Sequence, residues 1–151
     1  MFICQLVSFA CFFILVPFSL VFPRYDFFRP SVLLSICRMS GALESGVRVC
    51  VVRADNLKKV DTLTHADPYV KLYVNGNFLG KTKIKKNKKS PEWNETFEVP
   101  ETISAEGLVL EVYDWNAIAK DKFLGLVKLT SLGAYHGREN VEFELQPREG
   151  G

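Results

Sequence analysis

Six lysines fall within the nine residues from Lys81 to Lys89, and no acidic residue interrupts them. Side chains alternate along an extended segment, so Lys81, Lys83 and Lys85 point to one face. Tyr69 and Lys71 share a face of the preceding extended stretch. The intervening Asn75-Gly76 is a strong signal for a hairpin that would set the two rows side by side. Ammonium groups converging near an aromatic ring suit a multiply charged anion. The competing reading is that the row is the solvated face of a strand, the usual place for a charge run. Against that reading, like charges without acidic partners repel one another.

No catalytic constellation accompanies the lysines, so an enzyme is not expected. His65 and His136 both fall in loop regions without a nucleophile at a motif spacing. P-loop, glycine-rich phosphate cradle and HExxH patterns are absent. Of Cys4, Cys11, Cys37 and Cys50, only Cys50 lies in the polar part of the chain, and no CxxC pair suggests zinc. A reducing, cytosolic setting fits best.

The elements that must carry the lysines read as short strands. Residues 46–54 alternate and are rich in β-branched side chains, and residues 68–74 alternate cleanly up to the Asn-Gly turn. Phe78 to Lys85 returns as a third strand, and Pro91 marks the turn after it. Further strands are predicted at 93–99, 108–114, 122–129 and 141–145, with a single helical turn within 131–137. Such spacing without a long helix indicates an all-β antiparallel sandwich. Trp93, Trp115, Phe97 and Phe123 are expected in its core.

Over most of residues 46–145 the chain resembles the C2 domain family. The matching pieces are Asn56-Leu57, Asp61, Asp67-Pro68-Tyr69-Val70-Lys71, Lys81-Thr82-Lys83, Ser90-Pro91-Glu92-Trp93-Asn94-Glu95-Thr96-Phe97, Val112-Tyr113-Asp114-Trp115-Asn116 and Phe123-Leu124-Gly125. The stretch from Glu111 to Ile118, with Lys120 to Gly125, looks most like C2 domains of tricalbins and extended synaptotagmins. The resemblance implies a C2-type sandwich, here in the type II arrangement. In that arrangement an eighth strand should follow Leu145, yet only six residues remain. The eighth strand is thus missing or truncated, or residues 31–37 fill the gap.

The resemblance also implies sites. Asp61, Asp67 and Asp114 match three calcium-ligating acids of the family. Asn116 stands where a fourth is expected, and Lys122 where a fifth is, with Asp121 one residue early. Ca²⁺ wants 6–8 oxygen ligands, so a lysine there argues for a weak or degenerate calcium site, and calcium is retained only as a possible cofactor. Phosphoinositide-binding relatives use positions matching Tyr69, Lys71, Lys81 and Lys83. Lys85 extends this row and Tyr113 is its aromatic neighbour. Leu63 and Ile118 are candidates for shallow membrane insertion at loop tips.

The remaining organisation is read from composition. Residues 1–23 carry no charge and are long enough to span a bilayer, whose core needs about 20 apolar residues. This segment reads as a membrane anchor, with a spurious leader ahead of a start at Met39, or a cleaved signal, as competing readings. Arg24, Arg29 and Arg38 on its C-terminal side would keep the rest of the chain in the cytosol. Residues 24–42 read as a linker, 43–147 as the C2 domain and 148–151 as a tail. From Met39 onward 16 basic residues balance 16 acidic ones, which disfavours nucleic acid as a partner. The expected partner is anionic phospholipid at the cytosolic face of the endoplasmic reticulum or plasma membrane, in tethering or lipid transport. The alternative is a protein-interaction C2 domain without lipid binding.

Overall fold

The computed structural model describes residues 29–40, 45–58, 65–100, 107–135 and 137–148. The apolar leader lies outside them, as do Asp61, Leu63 and His136. No helix among the described residues is long and apolar enough to cross a membrane.

Eight strands run in chain order: β1 (Ser31–Ser40), β2 (Ser45–Asp55), β3 (Pro68–Val74), β4 (Asn77–Lys81), β5 (Glu92–Pro100), β6 (Leu108–Asp114), β7 (Lys122–Leu129) and β8 (Arg138–Glu144). A 3-10 turn over Leu132–Tyr135 precedes β8, within the stretch expected to be helical. The strands form two four-stranded sheets, ordered β5-β2-β1-β8 and β4-β3-β6-β7, and every pairing within them is antiparallel. Period-two burial builds the core between them. Val70, Leu72 and Val74 from β3 and Leu108, Leu110 and Val112 from β6 meet Val47, Val49 and Val51 from β2.

The eighth strand is present, and it comes first rather than last. Residues 31–40 fall in the expected linker, but as in the alternative that has residues 31–37 fill the gap they form β1 and pair with β2 from Ser31↔Asp55 to Ser40↔Ser45. On its other side β1 pairs with β8. The type II order, with its closing strand after Leu145, is therefore replaced by one whose closing strand precedes β2. The physical reason lies in Val32, Leu34 and Ile36, each fully buried at alternate positions. Their periodicity is hard to see in sequence because the apolar leader stands just upstream.

The third expected strand is shorter than the 78–85 span. At Thr82 the side-chain hydroxyl takes the Val70 amide at 2.9 Å, in place of a carbonyl of the ladder. The chain then turns toward the other sheet, where Lys83 N donates to Glu95 Oε1 and Trp93 Nε1 donates to the Lys83 carbonyl, both at 2.9 Å. The hairpin before it forms as its residues require. Asn75 and Gly76 both have positive φ, 49° and 78°, as a two-residue type I′ turn demands.

Because β1 lies inside its sheet, a chain begun at Met39 should not fold. Circular dichroism of that truncation is expected to show no cooperative thermal transition. Leu34→Ala in the full chain should keep the fold but lose about 3 kcal/mol of stability, read by denaturant titration.

Candidate functional site

The outer face of the β4-β3-β6-β7 sheet is set by the side chains that alternate with the core. Across this face Lys81 pairs with Lys71, and Lys71 with Glu111. One row over, Tyr69 pairs with Tyr113, and Tyr113 with Phe123. Four of the residues expected to bind anions therefore meet on one surface: Tyr69, Lys71, Lys81 and Tyr113.

Their contacts are close. The rings of Tyr69 and Tyr113 stack with centroids 5.9 Å apart. Lys71 Nζ lies 4.4 Å from the Tyr113 centroid and 5.6 Å from that of Tyr69. Lys81 Nζ lies 5.7 Å from the Tyr69 centroid. Each such contact is worth roughly 0.5–1 kcal/mol at an exposed site, and together they hold two like charges on neighbouring strands. Tyr69 is itself 2% exposed, so its ring is a platform for the lysines rather than a surface open to ligand.

Asp121, expected as a metal ligand, joins this face through its hydrogen bonds. Tyr69 Oη donates to Asp121 Oδ2 at 2.5 Å, and Asn116 N donates to Asp121 Oδ1 at 3.0 Å. These hydrogen bonds hold the Asp121 carboxyl below its usual range, with the positive charges of Lys71 and Lys81 adding to the effect. Burial, followed by the bond to Asp121, pushes the Tyr69 phenol well above its ordinary value. Beyond Tyr113, Arg148 Nη2 lies 3.1 Å from the Tyr113 hydroxyl and 3.2 Å from Glu111 Oε1. The Arg148 guanidinium also covers the Phe123 ring at 4.6 Å. Residue 148, placed in the expected tail, is thus part of the face, and Phe123, expected in the core, lies on it.

Lys83 and Lys85 do not extend the row as regular strand residues, since β4 ends at Lys81. Lys83 is exposed where the chain bends toward β5, and the half-buried Lys85 donates its amide to the Pro68 carbonyl at 3.0 Å. Lys86 instead packs over the half-buried Trp115 ring at 5.6 Å. The parts of this surface that sequence reasoning did not place on it are Asp121 and Arg148. Only the charge of each was a signal, because their positions depend on loop paths.

The expected calcium ligands are largely engaged in bracing loops. Asp67 Oδ1 accepts the Asn87 amide, and Asp114 Oδ1 accepts the Asp67 amide, both at 2.7 Å. Asn116 Oδ1 accepts the amides of Ile118 and Ala119 at 3.1 and 3.2 Å, and so closes its own turn. Lys122 sits directly across the ladder from Asp114. Among the described residues no three acidic, histidine or cysteine side chains are grouped to hold a metal ion. Asp61 and Leu63 lie outside the described residues. Ile118 stands 98% exposed at the tip of the loop between β6 and β7. The described residues alone do not fit a full calcium cage.

A depressed folded-state pKa at Asp121 stabilises the fold above the unfolded value, and that contribution fades as pH falls through the folded value. Asp121→Asn should therefore melt below wild type at pH 6. The gap should narrow only below about pH 3.9, the ordinary aspartate value. A series of thermal melts across pH reads it.

Comparison with known proteins places this geometry in a family. The family model described as C2 domain matches residues 45–145. The chain is 39% identical over 102 residues to Synaptotagmin-3 of Arabidopsis thaliana, a match covering 66% of this chain and 19% of that protein. It is 40% identical over 98 residues to a calcium-dependent lipid-binding protein of the same plant, covering 64% of this chain and 19% of that one. The chain thus spans about a fifth of the length of these relatives. Among solved structures, a C2 domain of RIM from Drosophila superposes with a TM-score of 0.67 at 19% identity, covering 79% of this chain and 99% of that one. A C2 domain of plant Extended Synaptotagmin 1 superposes at 0.52 with 29% identity, covering 69% of this chain and 71% of that one. With the family match across both sheets and the shared sandwich, this chain belongs to the C2 domain family.

Proposed function

We propose that this domain docks onto anionic phospholipid membrane through the outer face of the β4-β3-β6-β7 sheet, with a phosphoinositide headgroup seated against Lys71 and Lys81. The observation that carries this reading is the pair of ammonium groups held over the Tyr69 and Tyr113 rings. Positioned this way, the two charges are oriented before any ligand arrives, so less ordering entropy is lost on binding.

The distribution of charge supports the same face. On the opposite sheet cations are matched locally, as in Arg48–Glu98 at 3.2 Å, Arg53–Asp55 at 2.8 Å and Arg29–Glu144 at 2.9 Å. The Lys81–Lys89 run lies on and beside β4, so the even balance of charges from Met39 onward conceals a polarised domain. That one plant relative is a calcium-dependent lipid-binding protein agrees with lipid as the partner class. In this chain the hydrogen-bonded carboxylates and Lys122 favour docking that needs calcium weakly or not at all. Ile118 would add shallow insertion at a loop tip. The target is the cytosolic leaflet of the endoplasmic reticulum or plasma membrane, where such docking serves tethering or lipid transport.

Co-sedimentation of the full chain with vesicles, with and without phosphoinositide and in calcium or chelator, tests this. Binding should require phosphoinositide and persist in chelator. At roughly 1 kcal/mol per lysine near an anionic surface, Lys71→Ala/Lys81→Ala should weaken it about thirtyfold. Binding only in calcium would remove the calcium-independent reading. Absence of binding in every arm would remove lipid docking and favour a protein partner.

A further inference from the structure

A third cross-strand row lies on the same outer face, on the hairpin side of the lysine pair. Phe78 on β4 pairs with Tyr73 on β3, and Tyr73 pairs with Val109 on β6. The Phe78 and Tyr73 rings meet edge to face with centroids 5.7 Å apart. Phe78 is 58% exposed, and Tyr73 and Val109 are half-buried. Tyr73 is assigned to the face without ambiguity, because Val70, Leu72 and Val74 of β3 enter the core and Tyr69, Lys71 and Tyr73 alternate with them. Two residues along a strand separate Tyr73 from Lys71, a rise of about 7 Å. An apolar row therefore runs parallel to the cationic one on the same face, so both can meet one plane at the same depth.

From this juxtaposition we infer that the sheet lies flat on the bilayer, with Phe78 entering the interface beside the headgroups that Lys71 and Lys81 hold. The inference rests on the lysine-face reading and adds an orientation to it. A bilayer is the partner that matches both rows at once, since it presents anionic groups and apolar depth across one plane. Flat docking differs from docking on end. Ile118 stands beyond the Asp114 end of β6, whereas Phe78 pairs near the Asn75-Gly76 turn at the other end of β3. Penetration led by Ile118 alone would tilt Phe78 away from the surface.

A two-ligand comparison on the full chain separates the possibilities. Soluble inositol phosphate reports the cationic row alone, and phosphoinositide vesicles in chelator report both rows. Phe78→Ser should leave affinity for the soluble headgroup unchanged and weaken vesicle binding about fivefold, since an aromatic ring already part-buried gains only part of its transfer free energy. An Ile118→Ser control is expected to change vesicle binding less than Phe78→Ser does. Unchanged vesicle binding by Phe78→Ser, alongside normal headgroup affinity, would overturn flat docking while leaving the lysine face intact. An equal loss toward both ligands would also overturn it, because Phe78 would then act through the cationic site. Failure of the wild-type chain to bind either ligand would overturn both readings together.

Discussion

The register of β3 between β4 and β6 is the constraint on which the outer face depends. With a side-chain period of two, a slip of one residue would send Tyr69, Lys71 and Tyr73 into the core and bring Val70, Leu72 and Val74 to water. Burying the three apolar residues therefore determines where the lysine and its two aromatic neighbours project. The same burial fixes Lys81 against Lys71 and Tyr113 against Tyr69, since each partner inherits its place from the ladder. The hydrophobic core thus positions the polar face. Mutations in the core of β3 would be felt at the lysines before they were felt elsewhere.

That face carries its own balance. Lys71 and Lys81 are adjacent like charges, which would repel without compensation. The two tyrosine rings beneath them and the Asp121 carboxylate beside Tyr69 supply it. Asp121 has a second consequence. By accepting from both Tyr69 and Asn116 it ties the β6–β7 loop to the sheet. A residue that the sequence reading offered as a metal ligand acts here as a brace between loop and face. Lys122, read from the sequence as standing where a ligand is expected, lies across from Asp114.

Much of this was legible in the sequence. Alternation marked β2, β3, β6 and β7 nearly to the residue, and the Asn-Gly pair located the hairpin that brings Lys81 beside Lys71. Two features were less plain. β1 was foreseen only as one of the alternatives, with residues 31–37 filling the gap, because its alternating Val32, Leu34 and Ile36 come after a long apolar stretch and a period-two signal is weak against a uniformly apolar background. The end of β4 was hidden because at Thr82 one of the two ladder bonds to Val70 is taken by the side-chain hydroxyl, an event that no periodicity announces. Lys83 and Lys85 consequently leave the row in which strict alternation placed them. Asp121 and Arg148 could not be assigned from sequence, since hydrogen bonds across 52 and 35 residues bring them to the tyrosines.

Mapping a soluble inositol phosphate onto the chain by amide chemical-shift changes, in chelator, tests the central claim most directly. The account predicts that the largest changes fall on Tyr69, Lys71, Lys81 and Tyr113, with saturation at a single affinity. Changes confined to residues 115–121, or spread evenly over the lysines from 83 to 89, would contradict it.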